Sequence, residues 1–353
     1  MKKNLLLLAL ALSIIGLQSC EKTTTVIPPG KYEEGVFVVN EGNFGQGNSS
    51  LSFIDKDYNT IENNVYYNVN QTALGDQAQS IAFINDKVYI VVSGSNKIEV
   101  AEEKNLERKL TIASELRTPR YAIETTEKRA VVSCWGMGSD NTDDYLAVLD
   151  TYNDVVIDKI PVEVGPEQLA RYENYVFIAH KGAWSTNHIV SVLDLNTMQI
   201  SKTIPVGDRP NSMVMDDNYL WVLSGGEPDW TGNETGGKLT KIDLTTLNVI
   251  ENMDFPQNIH PAHLSKDGDQ LYYNIGNDVF KMNITDSALP TSAYITYDGS
   301  LLYNMEANQG LLFISDAKDY QQEGDVVIYD LTNGQKIKTF TAGIIPGDFG
   351  FKY

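Results

Sequence analysis

Seven short runs of β-branched and aromatic residues recur along the chain. They are GVFVVN from Gly35, KVYIVVS from Lys87, RAVVSC from Arg129, NYVFIAH from Asn174, NYLWVLS from Asn218, QLYYNIG from Gln270 and GLLFISD from Gly310. Their spacing is roughly forty to fifty residues. After a loop, each leads into a second run, as in SLSFID, KIEVAE, YLAVLD, IVSVLDL, KLTKIDL, DVFKMN and DVVIYDL. Several continue through a turn into a third strand (QISKTIPV, KIKTF) and then a Gly/Pro corner (VGPEQLA, VGDRPNSMVM). Evenly spaced short strands with turn residues between them predict an all-β chain, and a repeat of this period with four strands is that of a β-propeller blade. No segment of helical length competes.

The first repeat opens at Gly35 without a corner strand, whereas the chain ends on a corner and a short alternating strand, IIPGDFGFKY. The pattern therefore predicts a ring closed by Pro346 to Tyr353, which supply the inner strand of the first blade and remove a free edge. Seven blades result; six or eight remain open if the irregular stretch from Ala288 to Leu302 is misread.

With strands lettered A to D outward from the axis, B–C loops and D–A corners emerge on one face. Four B–C loops are too long for turns and carry aromatics. EGNFGQGNSS, following Asn40, holds Glu41, Asn43 and Phe44; WGMGSDNTDD holds Trp135 and Met137; KGAWSTN holds Lys181 and Trp184; GGEPDWTGNETGG holds Glu227 and Trp230. A fifth, AKDYQQEG, follows Asp316 and holds Tyr320. Flat apolar surfaces beside amides and acids suit a small-molecule site, although a loop Trp also serves to pin its loop to a blade. The corners, expected nearer the axis, carry Asp76, Gln77 and Gln79; Arg120 and Tyr121; Glu167 and Gln168; Arg209 and Asn211; His260 and His263; Tyr303 and Asn304; and Asp348 and Phe349.

The chain's formal charge of −20 argues against nucleic acid, whose affinity comes from basic side chains on phosphates, and against anionic membrane surfaces. It favours a soluble, monomeric body. The amino terminus reads as a secretory signal: Met1-Lys2-Lys3, then an apolar run from Leu5 to Leu17. Leu17-Gln18-Ser19-Cys20 resembles a bacterial lipobox, which implies lipidation of Cys20 and a membrane anchor. The expected organisation is a signal peptide over 1–19, a lipidated tether over 20–34 and the propeller over 35–353. Cys134 follows a strand-like run and is read as a half-buried, unreactive thiol.

Catalytic and metal constellations are weak. His260-Pro261-Ala262-His263 has the gap of some metal sites but shows no third ligand. Asp140 to Asp144 and Lys266 to Asp269 lack full calcium-loop spacing, and the latter reads as an A–B hairpin. Glu41 and Asp348 share the closing blade and face each other in this reading, but nothing assembles a reaction around them. No enzymatic activity, metal or catalytic cofactor is expected.

The VGxxP corners with VYIVVS and KIEV strands resemble the YVTN-type propeller repeats of surface and periplasmic proteins. More narrowly, a lipoprotein with VVNEGNFGQGNSSLSFID directly after its tether is similar to the cobalamin-capture surface lipoproteins of gut bacteria. That resemblance implies a seven-bladed propeller displayed on the cell surface, corrinoid as bound ligand and a TonB-dependent outer-membrane transporter as partner. Two other readings stand beside it: a glycan- or protein-binding surface propeller whose Trp residues stack on sugars, and a lactonase-like propeller enzyme.

Overall fold

The computed structural model describes residues 30–138 and 140–353. The signal segment, Cys20 and the tether as far as residue 29 lie outside the described residues. The chain forms seven four-stranded antiparallel sheets, each ordered A-B-C-D. In blade 1 strand A is Pro346–Lys352, followed by Gly35–Asn40, Ser50–Asp55 and Ile61–Glu62. The A strands of blades 2 to 7 are Ala78–Ile84, Pro119–Thr126, Pro166–Tyr172, Pro210–Asp216, Ala262–Asp267 and Leu302–Asn308. Successive A strands touch all the way round, which places them at the axis. The seven hydrophobic runs of the sequence are the seven B strands.

The carboxy-terminal strand closes the ring as the sequence predicts: Val36 pairs with Phe351 and Val39 with Asp348 across an antiparallel ladder. The stretch from Ala288 to Leu302 contains the two-residue D strand of blade 6, Ile295–Thr296, so the count is seven. The Lys266-to-Asp269 segment is an A–B hairpin, with Asp267 opposite Gln270.

Burial explains why the B strands are apolar throughout rather than alternating. Each lies between two neighbouring blades, and successive side chains point to opposite faces. Val36 and Val38 pack with Phe313 and Ile328 of blade 7, while Phe37 and Val39 pack with Val88 and Ile90 of blade 2. The core is thus seven separate layers, one per interface between blades. Trp221 is the largest fully buried side chain, in the layer between blades 5 and 6.

Three sequence expectations need correction. A short helix, Val65–Asn70, sits outside blade 1; its Val65 and Tyr66 fill the layer that a two-residue D strand leaves uncovered. Six residues are too few to display a helical period. Tyr32, within the expected tether, is fully buried against Phe37 and Phe53, so the body starts before Gly35. Cys134 is fully buried, not half-buried, and burial pushes its thiol up to about 12. Among the described residues no helix is long and apolar enough to cross a membrane.

Candidate functional site

The A strands do more than pair. In every blade the A–B ladder slips register near the first residues of A. A bulge of this kind leaves a residue unpaired and re-aims its side chain. The residues in the slipped steps are Gly347, Gln79, Arg120 and Tyr121, Glu167 and Gln168, Asn211, His263 and Leu264, and Tyr303; all of them line one cavity on the axis. The corner leading in is itself strained. Gln77, Thr118, Arg209 and Ile345, each directly before an A strand, hold φ between 46° and 55°, a region that disfavours a side chain.

A ring of hydrogen bonds ties blade to blade at this level. Ser80 Oγ donates to the Arg120 carbonyl (2.6 Å) and Ser133 Oγ to that of Glu167 (2.8 Å). The Met213 amide donates to Gln168 Oε1, the Leu264 amide to Ser212 Oγ and the Ala307 amide to Ser265 Oγ. Asn304 Nδ2 donates to the Gly347 carbonyl (2.9 Å), and the Ile81 amide donates to Asp348 Oδ2 (3.2 Å). Every interface between blades carries one such bond, so the cavity wall is held in place before any ligand arrives.

The cavity measures about 720 Å³ and is lined mainly by polar groups. On one wall the Arg120 guanidinium makes a two-pronged ion pair with Glu167, Nε to Oε2 at 3.0 Å and Nη2 to Oε1 at 2.7 Å. Trp135 lies over that guanidinium, 3.9 Å from ring centroid to Cζ, and donates its Nε1–H to the Pro166 carbonyl at 2.9 Å. Burial pulls the Arg120 pKa down, and Glu167 outweighs it, leaving the pKa raised. Lys181 faces the same space, and burial lowers its pKa. Across the axis, burial raises Glu41, which accepts a hydrogen bond from Tyr303 Oη at 2.9 Å. Burial pushes Asp348 up to about 8 and, with the Asp348 charge, raises Glu306 well above the carboxylate range. His263 donates from Nδ1–H to Asn274 Oδ1 at 2.9 Å, and burial lowers its pKa to about 4, so it is neutral.

Most of the predicted site residues fall into three groups. Glu41, Gln77, Arg120, Gln168, Lys181, Arg209, Asn211, His260, Tyr303 and Asp348 line the axial cavity. Asn43, Phe44 and Tyr320 line a cleft that opens beside it and shares Glu41, Gln77 and Tyr303 with it. Trp184 (77% exposed), Trp230 (75%) and Met137 (44%) stand above, on the B–C loops. They are outside the cavity wall. The Trp184 indole lies against Gly138, so the loops of blades 3 and 4 touch. Glu227 sits beside the cavity, with Oε2 buried and unpaired.

Asn40, Asp316 and Phe349 do not belong to the site. Asn40 is fully buried and bonded to Ser50, Ser52 and the Gly343 amide. Asp316 accepts from Tyr297, Ser300, Leu301 and Lys318, which fixes the corner into blade 7. Phe349 packs on Phe313 in the layer between blades 7 and 1. Glu306 was missed: it is an acid in an inner strand, two residues beyond Asn304 and therefore on the same face, and that placement is the signal that marks it. Among the described residues no three His, Cys, Asp or Glu side chains cluster to hold a metal ion.

The fold is shared with solved structures of low sequence identity. A functionally unknown protein from Desulfotomaculum acetoxidans aligns with a TM-score of 0.66 at 16% identity, over 91% of this chain and 99% of that one. The dihydro-heme d1 dehydrogenase NirN aligns at 0.58 and 13% identity, over 93% and 78%. Kuenenia stuttgartiensis hydrazine synthase aligns at 0.55 and 14% identity, over 77% and 88%. No curated protein matches the sequence. Residues 34–344 match the domain of unknown function DUF5074, and the chain belongs to that family.

Proposed function

We propose that the protein is a ligand-capture propeller that binds a corrinoid at the axial face, is lipid-anchored through Cys20 at the cell surface, and hands its ligand to a TonB-dependent outer-membrane transporter. The observation that carries the binding reading is the convergence of ten corner and loop residues on one preorganised polar cavity, with exposed aromatics on the loops above it. Preorganisation lowers the ordering cost of binding. Small-molecule sites are commonly about 300–1,000 Å³, and a whole corrinoid exceeds this cavity. The macrocycle is therefore placed across the mouth, its apolar face toward Phe44, Trp184 and Trp230, with amide arms reaching Gln77, Gln168 and Asn211. The anchor, display and transporter rest on the sequence resemblance alone.

The chemistry at the axis favours binding over catalysis. The Arg120–Glu167 pair is satisfied, and His263 is held neutral by burial. A second reading, glycan binding, is favoured by the exposure of Trp184 and Trp230. Passing the purified protein with cyanocobalamin through a desalting column decides between them. Co-elution of the red chromophore supports capture; its retention with free ligand supports the glycan reading.

A further inference from the structure

One side of the cavity runs opposite in charge to the whole molecule. The chain carries −20, yet Arg120, Lys181 and Arg209, from blades 3 and 4 and the corner into blade 5, gather on one side of the axis. Their charges act on one another, since those of Arg120 and Arg209 bear on Lys181. Arg120 is fully engaged by Glu167. Lys181 is not: its ammonium makes no hydrogen bond or ion pair among the described residues, and its half-buried side chain is open to the cavity. Arg209 donates one bond, from Nη1 to the Ser185 carbonyl at 3.2 Å, which leaves the rest of its five-donor fork open. Unpaired cations partly withdrawn from bulk water in a recessed cavity gain from a bound anion.

No acid in the cavity pairs with Lys181: the charge of Glu167 bears on it most, but both Glu167 oxygens are taken by Arg120. Glu41, Glu306 and Asp348 belong to blades 1 and 7, across the axis from blades 4 and 5. Glu41 is turned to Tyr303 and Asp348 to the Ile81 amide. Burial favours the protonated forms of Glu306 and Asp348.

We propose that Lys181 and Arg209 form an oxyanion subsite in the axial cavity, taking a phosphate or carboxylate group of the ligand. For a corrinoid this group is the phosphodiester of the nucleotide tail, an assignment that rests on the capture reading above; the subsite itself does not. A tail lowered into the cavity while the macrocycle covers the mouth also accounts for a cavity smaller than the whole ligand.

Calorimetric titration of wild type, Lys181→Met and Lys181→Arg with cyanocobalamin and with dicyanocobinamide, which lacks the phosphodiester and base, tests the proposal. Wild type is expected to bind cyanocobalamin at least tenfold more tightly than dicyanocobinamide. Lys181→Met should weaken cyanocobalamin binding at least tenfold more than dicyanocobinamide binding, and Lys181→Arg should keep most of the discrimination. Equal affinity of wild type for the two corrinoids overturns the subsite and leaves capture standing. If neither corrinoid binds, capture fails, and inorganic phosphate and citrate decide the subsite. Saturable thermal stabilisation of wild type that Lys181→Met abolishes upholds it; no stabilisation overturns it.

Discussion

Arg120 is held from three directions: by both oxygens of Glu167, by the face of Trp135 and by the bulged backbone that carries it. This makes Trp135 a support for the cavity wall rather than an exposed platform, although it lies on the same loop class as Trp184 and Trp230. Trp135→Ala removes one of these three restraints and is expected to weaken corrinoid binding tenfold or more, and Trp184→Ala to do the same by direct loss of an aromatic anchor, at about 2 kcal/mol each. Titrations unchanged for both variants would reject this account of the rim. The acids make a separate prediction. Asp348 has a folded-state pKa of about 8, raised by burial, against an unfolded value of about 3.9. The folded state holds a proton that the unfolded chain has lost, so this contribution is fully present below pH 4 and is lost as the pH rises toward 8. Asp348→Asn removes that dependence. The variant is expected to gain on the order of 1–3 kcal/mol over wild type at pH 8 relative to pH 4, measured by urea denaturation at both pH values. An identical difference at the two pH values would contradict it.

Among the elements, the carboxy-terminal strand has the largest task, because one short ladder joins the two ends of the ring. Phe349 is buried between blades 7 and 1, and Phe349→Ala is expected to cost about 3–5 kcal/mol, read as a lower urea midpoint with no change at the cavity wall. This strand was legible because the sequence begins one strand short and ends one strand over. The B strands were legible for a related reason: burial on both faces makes each a continuous apolar run. The corners were legible as axis-lining from turn residues and strand order alone. The bulges that aim them were not, since the corner residues are mostly polar and offer no hydrophobic alternation for a register slip to interrupt. Nor were Asn40 and Asp316 separable from ligand-facing polar residues, because a side chain that caps a loop has the same composition as one that awaits a ligand. Phe349 was misplaced for the simplest reason: it sits beside Asp348, and alternation sends the two to opposite faces.

The whole molecule joins an acidic exterior to a central cavity with a cationic side. Its core is divided into seven layers, so the axis is spared from packing and remains open for polar side chains. The ring of hydrogen bonds between blades fixes those side chains relative to one another. A site assembled from all seven blades is expected to be lost when the ring opens: deletion of residues 346–353 should abolish ligand binding together with cooperative unfolding, checked by calorimetry of the same sample. The most direct measurement is the cobalt anomalous difference map of crystals grown with cyanocobalamin. A single cobalt peak on the axis, above Gln79, Arg120 and Tyr303 and within the circle of Phe44, Trp184 and Trp230, is the result predicted here. A peak on the outer D strands or on the opposite face, or fully occupied crystals with no peak at the axis, would contradict it.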